Sequence, residues 1–161
     1  MMTNLQFFQS CWANELAATQ SLIAALPTDQ LDYRPHAVNR SAKEIVEHLL
    51  GHVVDLDVIL RTNRCDETLV YPVLTSADSA TAYGELAAVV TATLREITET
   101  QWEKEHVELL VGGKPLVTLS RMQMMWFFFF DIIHHRGQLS SYVRPMGGKN
   151  PAVYGYSADT I

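Results

Sequence analysis

Ser120-Arg121-Met122-Gln123-Met124-Met125-Trp126-Phe127-Phe128-Phe129-Phe130-Asp131-Ile132-Ile133-His134-His135-Arg136-Gly137-Gln138-Leu139-Ser140-Ser141-Tyr142-Val143 is the stretch on which the fold turns. It holds no proline, and Pro145 stops it, with Gly147-Gly148 just beyond; proline is excluded from helix interiors. Met124, Phe128, Asp131, His135, Leu139 and Tyr142 recur at steps of three and four, the rhythm of one helix face. Trp126 to Phe130 are five aromatic residues in succession. On a helix such a run covers every side and predicts burial all round. Either this is the central helix or part of it meets a second subunit. Exposed aromatics in that number invite association, so a homodimer is expected, with burial by the rest of the same chain as the competing account.

Working outward, the remaining prolines at 27, 35, 72, 115 and 151 divide the chain into further periodic pieces. Leu5, Phe8, Trp12, Leu16, Thr19, Ile23 and Leu26 mark a first helix ending near Pro27. A second begins near Ser41, where Glu44 three residues on completes a capping box. Its inner face reads Ile45, His48, Leu49, His52, Leu56 and Ile59. A third is predicted over about Ala77 to Thr98, with Tyr83, Leu86, Val90, Leu94 and Ile97 on one side. Between Glu105 and Thr118, Val107 and Leu109 alternate with polar residues and Gly112-Gly113 interrupts, which predicts a short β-hairpin. Four long helices in one domain spanning 1–161 imply an all-α four-helix bundle, with that hairpin between helices three and four.

Composition narrows the class. The chain has 161 residues, 48% of them hydrophobic and 19% charged, enough for one core and too apolar for disorder. Twelve Lys+Arg against eighteen Asp+Glu give a net charge of −6, with no basic cluster, so nucleic acid is a poor partner. The apolar run Met122 to Phe130 is far short of the ~20 residues that cross a bilayer, and no basic-then-apolar leader opens the chain. Cys11 and Cys65, with no CxxC, read as two thiols in a reducing compartment. A cytoplasmic protein without a membrane partner is expected.

The six histidines then need an account. His48 and His52 are spaced i, i+4 among apolar residues, and Asp131 and His135 repeat that spacing on the last helix. A buried carboxylate is costly unless it is paired or bound to a cation. A carboxylate and imidazoles converging from facing helices are how bundles build metal sites. The plainer account is a set of hydrogen-bonded core histidines with an Asp131–His135 pair inside one helix. Spacing alone leaves both open. His36 and His106 fall in loop or hairpin contexts, where solvation suffices.

At this point the sequence resembles a known family. His134-His135-Arg136-Gly137-Gln138-Leu139, followed by Tyr142-Val143-Arg144 and Gly147, resembles the closing signature of the DinB/YfiT-like superfamily of metal-dependent enzymes. Ser41-Ala42-Lys43-Glu44-Ile45-Val46-Glu47-His48-Leu49 is similar to its second-helix motif, and Leu31-Asp32-Tyr33-Arg34-Pro35 and Pro151-Ala152-Val153-Tyr154-Gly155 to its lead-in and tail. The resemblance implies a four-helix bundle, usually dimeric, with a divalent metal held by three residues. By motif these are His48, Asp131 and His135, where Asp131 stands in place of the more usual His. Two His and one carboxylate suit Zn, Ni, Mn or Fe. His52 is implied as a catalytic proton carrier, a fourth ligand or a supporting core group, the last favoured, with Asp55 a further proton acceptor. Arg136 and Gln138 read as structural pairing groups, and Gly51 and Gly137 as sites of close packing. Tyr142 and Arg144 read as surface residues within reach of an anionic substrate, and His134 faces a neighbouring helix or the dimer partner.

The function implied is hydrolysis or transfer on a small molecule, with a low-molecular-weight thiol as possible co-substrate, since similar proteins include thiol-dependent transferases and isomerases. The alternative is a non-catalytic dimeric bundle whose degenerate site binds a small ligand or serves structure.

Overall fold

The computed structural model describes residues 1–160. Four long helices carry it: α1 (Asn4–Ala24), α2 (Ala42–Arg61), α3 (Ser76–Leu94) and α5 (Arg121–Val143), with a short α4 (Glu99–Lys104) before a small sheet. Three capping boxes mark the long starts, Thr3 with Gln6, Ser41 with Glu44 and Ser120 with Gln123. Each satisfies amide groups that a helix start otherwise leaves unpaired. α2 packs between α3 and α5, and α1 packs between the same two, so the four form a ring of neighbours around one core.

The third helix is shorter than its apolar rhythm predicts. α3 ends at Leu94, and Thr98 caps a separate helix in a capping box with Gln101. That cap outcompetes continuation, and it turns Trp102 into the core, where its indole donates to Asn4 and its ring lies 5.0 Å from Phe8. The hairpin is present as β2 (His106–Val111) and β3 (Lys114–Ser120), joined at Gly112 and Gly113 with φ of 58° and 77°. Both values are left-handed, as a two-residue turn of this type requires. A third strand, β1 (Arg64–Asp66), adds parallel to β2 and gives the order β1-β2-β3. The protein is therefore mainly helical with a three-stranded sheet rather than strictly all-α.

The sheet ties α2 to α5. β1 leaves α2 after two residues, and Ser120 is both the last residue of β3 and the N-cap of α5. Arg121, 2% exposed, donates from Nε to Ile59 O at 2.9 Å and from Nη2 to Thr62 O at 3.2 Å and Asn63 Oδ1 at 2.9 Å, and pairs with Glu105. One buried guanidinium thus pins the end of α2 to the start of α5.

The aromatic run is not buried all round by this chain. Phe128 and Phe129 are 1% and 2% exposed, whereas Phe127 and Phe130 are 56% and 61% exposed. α5 is covered by α1, α2 and the sheet on its inner sides only, and Phe127 and Phe130, three residues apart, share the uncovered one. Arg136, by contrast, is the buried pairing group expected. It binds Glu15 and the Tyr154 hydroxyl, donates to Thr19 Oγ1 at 3.2 Å, and stacks over the Tyr154 ring, holding the C-terminal tail against α1 and α5.

Candidate metal centre

α2 and α5 run antiparallel, and each presents two side chains one turn apart to the other. His48 and His52 come from α2, Asp131 and His135 from α5, and their ligand-type atoms all lie within 4.8 Å of one another. Asp131 Oδ2 is the hub, at 2.8 Å from His52 Nε2, 3.2 Å from His135 Nε2 and 3.8 Å from His48 Nε2. Metal–ligand bonds near 2.0–2.2 Å put tetrahedral ligand atoms roughly 3.3 Å apart, and the three distances from Asp131 bracket that value. The three imidazoles are buried and Asp131 is half-buried. Three nitrogens and one carboxylate oxygen form a donor set for zinc, nickel, manganese or iron.

The surroundings prepare each group. Gln138 Oε1 lies 2.8 Å from His135 Nδ1, placed to hold a proton on Nδ1 and so leave Nε2 free for a cation in place of its contact with Asp131. The Phe128 ring meets His52 edge-on at 4.9 Å. His52 Nδ1 faces Asp55 Oδ2 at 3.6 Å, too far for a hydrogen bond but within reach of its charge. Asp55, fully buried, has both oxygens on the Thr68 amide, at 3.0 and 3.1 Å. That contact lays the segment after β1 along α2, against Gly51, where the Thr68 carbonyl occupies the place of a side chain. Tyr71 N donates to Glu47 O at 3.1 Å and continues the contact.

These contacts set the charges. The bonds to His135 and then His52 hold the Asp131 carboxyl well below the usual carboxylate range. Burial by itself would lower His52, but the hydrogen bond to Asp131 and then the nearness of Asp55 outweigh it and lift the imidazole to about 9. Burial, reinforced by the charge of His52, lowers His48 to about 4. At neutral pH without metal, the His52 imidazolium faces the Asp131 carboxylate while His48 stays neutral.

An open pocket of about 460 Å³ lies above the cluster, with His48 and His135 at its base and Asn39, Arg40, Gln138 and Tyr142 among its walls. His52 lies deeper, 3% exposed and outside that lining. All four candidate residues read from the two helices are thus in one place. Tyr142 is not the surface residue expected: it is 5% exposed, lines the pocket, and donates its hydroxyl to Arg40 O at 3.2 Å. Its position on the inner stripe was the signal. Arg144 is exposed and pairs with Asp159 at 2.9 Å. Gln138 holds a proposed ligand rather than serving the fold alone, and its i, i+3 spacing from His135 was legible. Arg40 and Asn39 carried no periodic signal, because they sit in the loop before α2. Gly51 is a site of close packing as expected, but Gly137 is not: among the described residues a Cβ there would meet nothing within 4 Å. His134 is exposed beside His135, and His36 and His106 are exposed.

Comparison with known proteins bears on the whole chain. The fold matches the crystal structure of a DinB-like protein, YjoA, from Bacillus subtilis, with a TM-score of 0.70 over 93% of this chain and 97% of that one, at 21% identity. At that identity the likeness speaks for the fold alone. No curated protein sequence matches. The model of the DinB family matches residues 1–160, and the chain belongs to the DinB family.

Proposed function

We propose that this protein is a four-helix-bundle, metal-dependent enzyme acting on a small molecule as a hydrolase or a thiol-dependent transferase. His48, Asp131 and His135 would hold a divalent cation, zinc, nickel, manganese or iron, with His52 beside them as proton carrier. One observation carries the reading: three imidazoles and a carboxylate from two helices converge at the base of an open pocket. A divalent ion with free positions supplies Lewis-acid activation of a water or thiol and polarises a substrate oxygen.

The chain's own residues do the rest. Gln138 keeps the proton of His135 on Nδ1. His52 holds its proton at Nε2 against Asp131 Oδ2 and would give it up were that oxygen to hold a cation. Phe128 shields this proton from water. Any thiol comes from outside, because Cys65 is buried, its thiol pushed up to about 12 by that burial, and Cys11 lies on the α1 face beside Trp126. The two free thiols support a cytoplasmic setting. Exposed Phe127 and Phe130 support a homodimer.

Elemental analysis of protein purified without chelator or nickel resin tests the reading. Less than about 0.1 metal per chain, with no rise in Tm on adding Zn, Mn, Fe or Ni, overturns it in favour of a non-catalytic ligand-binding bundle, since a cation bound only to the folded state must stabilise it. His48→Ala and His135→Ala should lose most of the metal and His52→Ala less. Equal loss would make His52 a ligand rather than a proton carrier.

A further inference from the structure

The lining of the pocket above the cluster carries Asn39, Arg40 and Gln138 and, among the described residues, no carboxylate, in a protein whose net charge is −6. Arg40 stands at its wall and has no ion-pair partner among the described residues. The acids nearest it on α2 are engaged elsewhere: Glu44 Oε2 accepts from Ser41 N at 2.6 Å and faces Arg34 at 3.4 Å, and Glu47 faces Lys43 at 3.9 Å. The backbone that carries Arg40 is held from two sides. Its carbonyl accepts the Tyr142 hydroxyl at 3.2 Å, and the next residue is the N-cap of α2. Gln138 adds a second donor. Its Oε1 is taken by His135, so its amide NH₂ remains for the pocket, which it lines together with Asn39.

A guanidinium without an ion pair beside two carboxamides, its neighbours Glu44 and Glu47 facing Arg34 and Lys43, is a constellation for an oxyanion. We infer that Arg40, with Gln138 and Asn39, is the anion-binding end of the pocket, and that the substrate is a small molecule bearing a carboxylate or phosphate. This rests on the reading of a metal-dependent site, because it places the reacting end of that molecule over His48 and His135. The pocket volume of about 460 Å³ suits a ligand spanning both ends.

A matched pair of metal-binding probes tests it: acetohydroxamate, and succinic acid monohydroxamate, which adds a carboxylate. On zinc-loaded protein, calorimetry should show the carboxylated probe binding about tenfold more tightly, the strength of one partly exposed charge-assisted contact. Arg40→Gln should equalise the two and Arg40→Lys should keep part of the preference, with zinc content unchanged in both. Equal affinities in the wild type, or a preference that survives Arg40→Gln, overturns the inference. A second arm needs no metal. Glutarate titrated into metal-free protein should shift the NMR signals of the Arg40, Asn39 and Gln138 side chains, and not in Arg40→Gln. If no zinc loads but glutarate moves those signals, the metal reading fails and the anion site stands. If zinc loads, the two hydroxamates bind alike and glutarate moves nothing, the anion site falls and the metal reading stands.

Discussion

Replacing Gly51 by alanine sets two effects of known size against each other between His48 and His52. Alanine in a helix interior is favoured over glycine by about 1 kcal/mol. In this fold the added Cβ would overlap the Thr68 carbonyl oxygen and lie 3.3 Å from its carbon and 3.5 Å from its Cγ2. Backbone cannot swing aside as a side-chain tip can, so the segment after β1 must lift. Lifting it stretches the two contacts from the Thr68 amide to Asp55, whose carboxylate is fully buried. Loss of a hydrogen bond to a charged group costs about 1.5–3 kcal/mol, and overpacking strain adds to that. The net effect is a destabilisation of about 1–3 kcal/mol. For a chain of 161 residues, at about 2–4 °C per kcal/mol, Tm should fall by roughly 2–12 °C. Gly137→Ala is the control on α5, because no described residue stands within 4 Å of a Cβ there, and Tm should rise by about 2–4 °C. Thermal unfolding followed by circular dichroism reads both. A Gly51→Ala variant as stable as the wild type, or more so, refutes the argument that the Thr68 carbonyl requires this glycine.

Gln138→Leu removes the acceptor that fixes the proton of His135, so metal affinity should fall about 10–100-fold in competition with a chromophoric chelator; unchanged affinity would remove Gln138 from the site. The metal-free protein should be most stable near pH 6.5. Below it, His48 resists protonation down to about 4 while the unfolded chain takes a proton at 6.5, so stability falls as pH falls through that window. Above it, His52 keeps its proton to about 9, and the stability this contributes is lost as pH rises through 9. Denaturant midpoints in EDTA should show both limbs, and His52→Gln should flatten the alkaline one; a limb that persists would assign it to another group. Phe127→Glu with Phe130→Glu should convert a dimer to a monomer by light scattering with helix content unchanged. A wild type already monomeric counts against the dimer.

Much of this architecture was legible because single residues made strong local statements. Ser41 with Glu44 and Pro145 with Gly147 bounded α2 and α5, and polar residues on otherwise apolar faces marked His48, His52, Asp131 and His135. What escaped was decided by partners distant in sequence. The third helix stops at Leu94, short of Thr98, and Thr98 starts a new one that gives Trp102 its place against Phe8 and Asn4, on another helix. β1 is three residues long and pairs with a strand about forty positions later, so nothing local announced it. Arg40 and Asn39 belong to the pocket through a loop whose course is set by Tyr142, and which of the five aromatics this chain covers was not legible, because helix periodicity cannot say which sides find neighbours.

The pin made by Arg121 at the joined ends of α2 and α5 also works as a ruler. Nη2 of Arg121 holds Thr62 O, and from that fixed point His52 lies ten residues back along α2 while Asp131 lies ten residues forward along α5. His48 and His135 lie fourteen residues from the same pin, one on each helix. At 1.5 Å per residue the two rungs fall about 15 and 21 Å from it on both helices, which is why they meet level. Equal counts make the centre intolerant of unequal editing. Deleting one residue from α5 between 122 and 130 would shift Asp131 and His135 by about 1.5 Å and turn them by about 100°, whatever cation was offered.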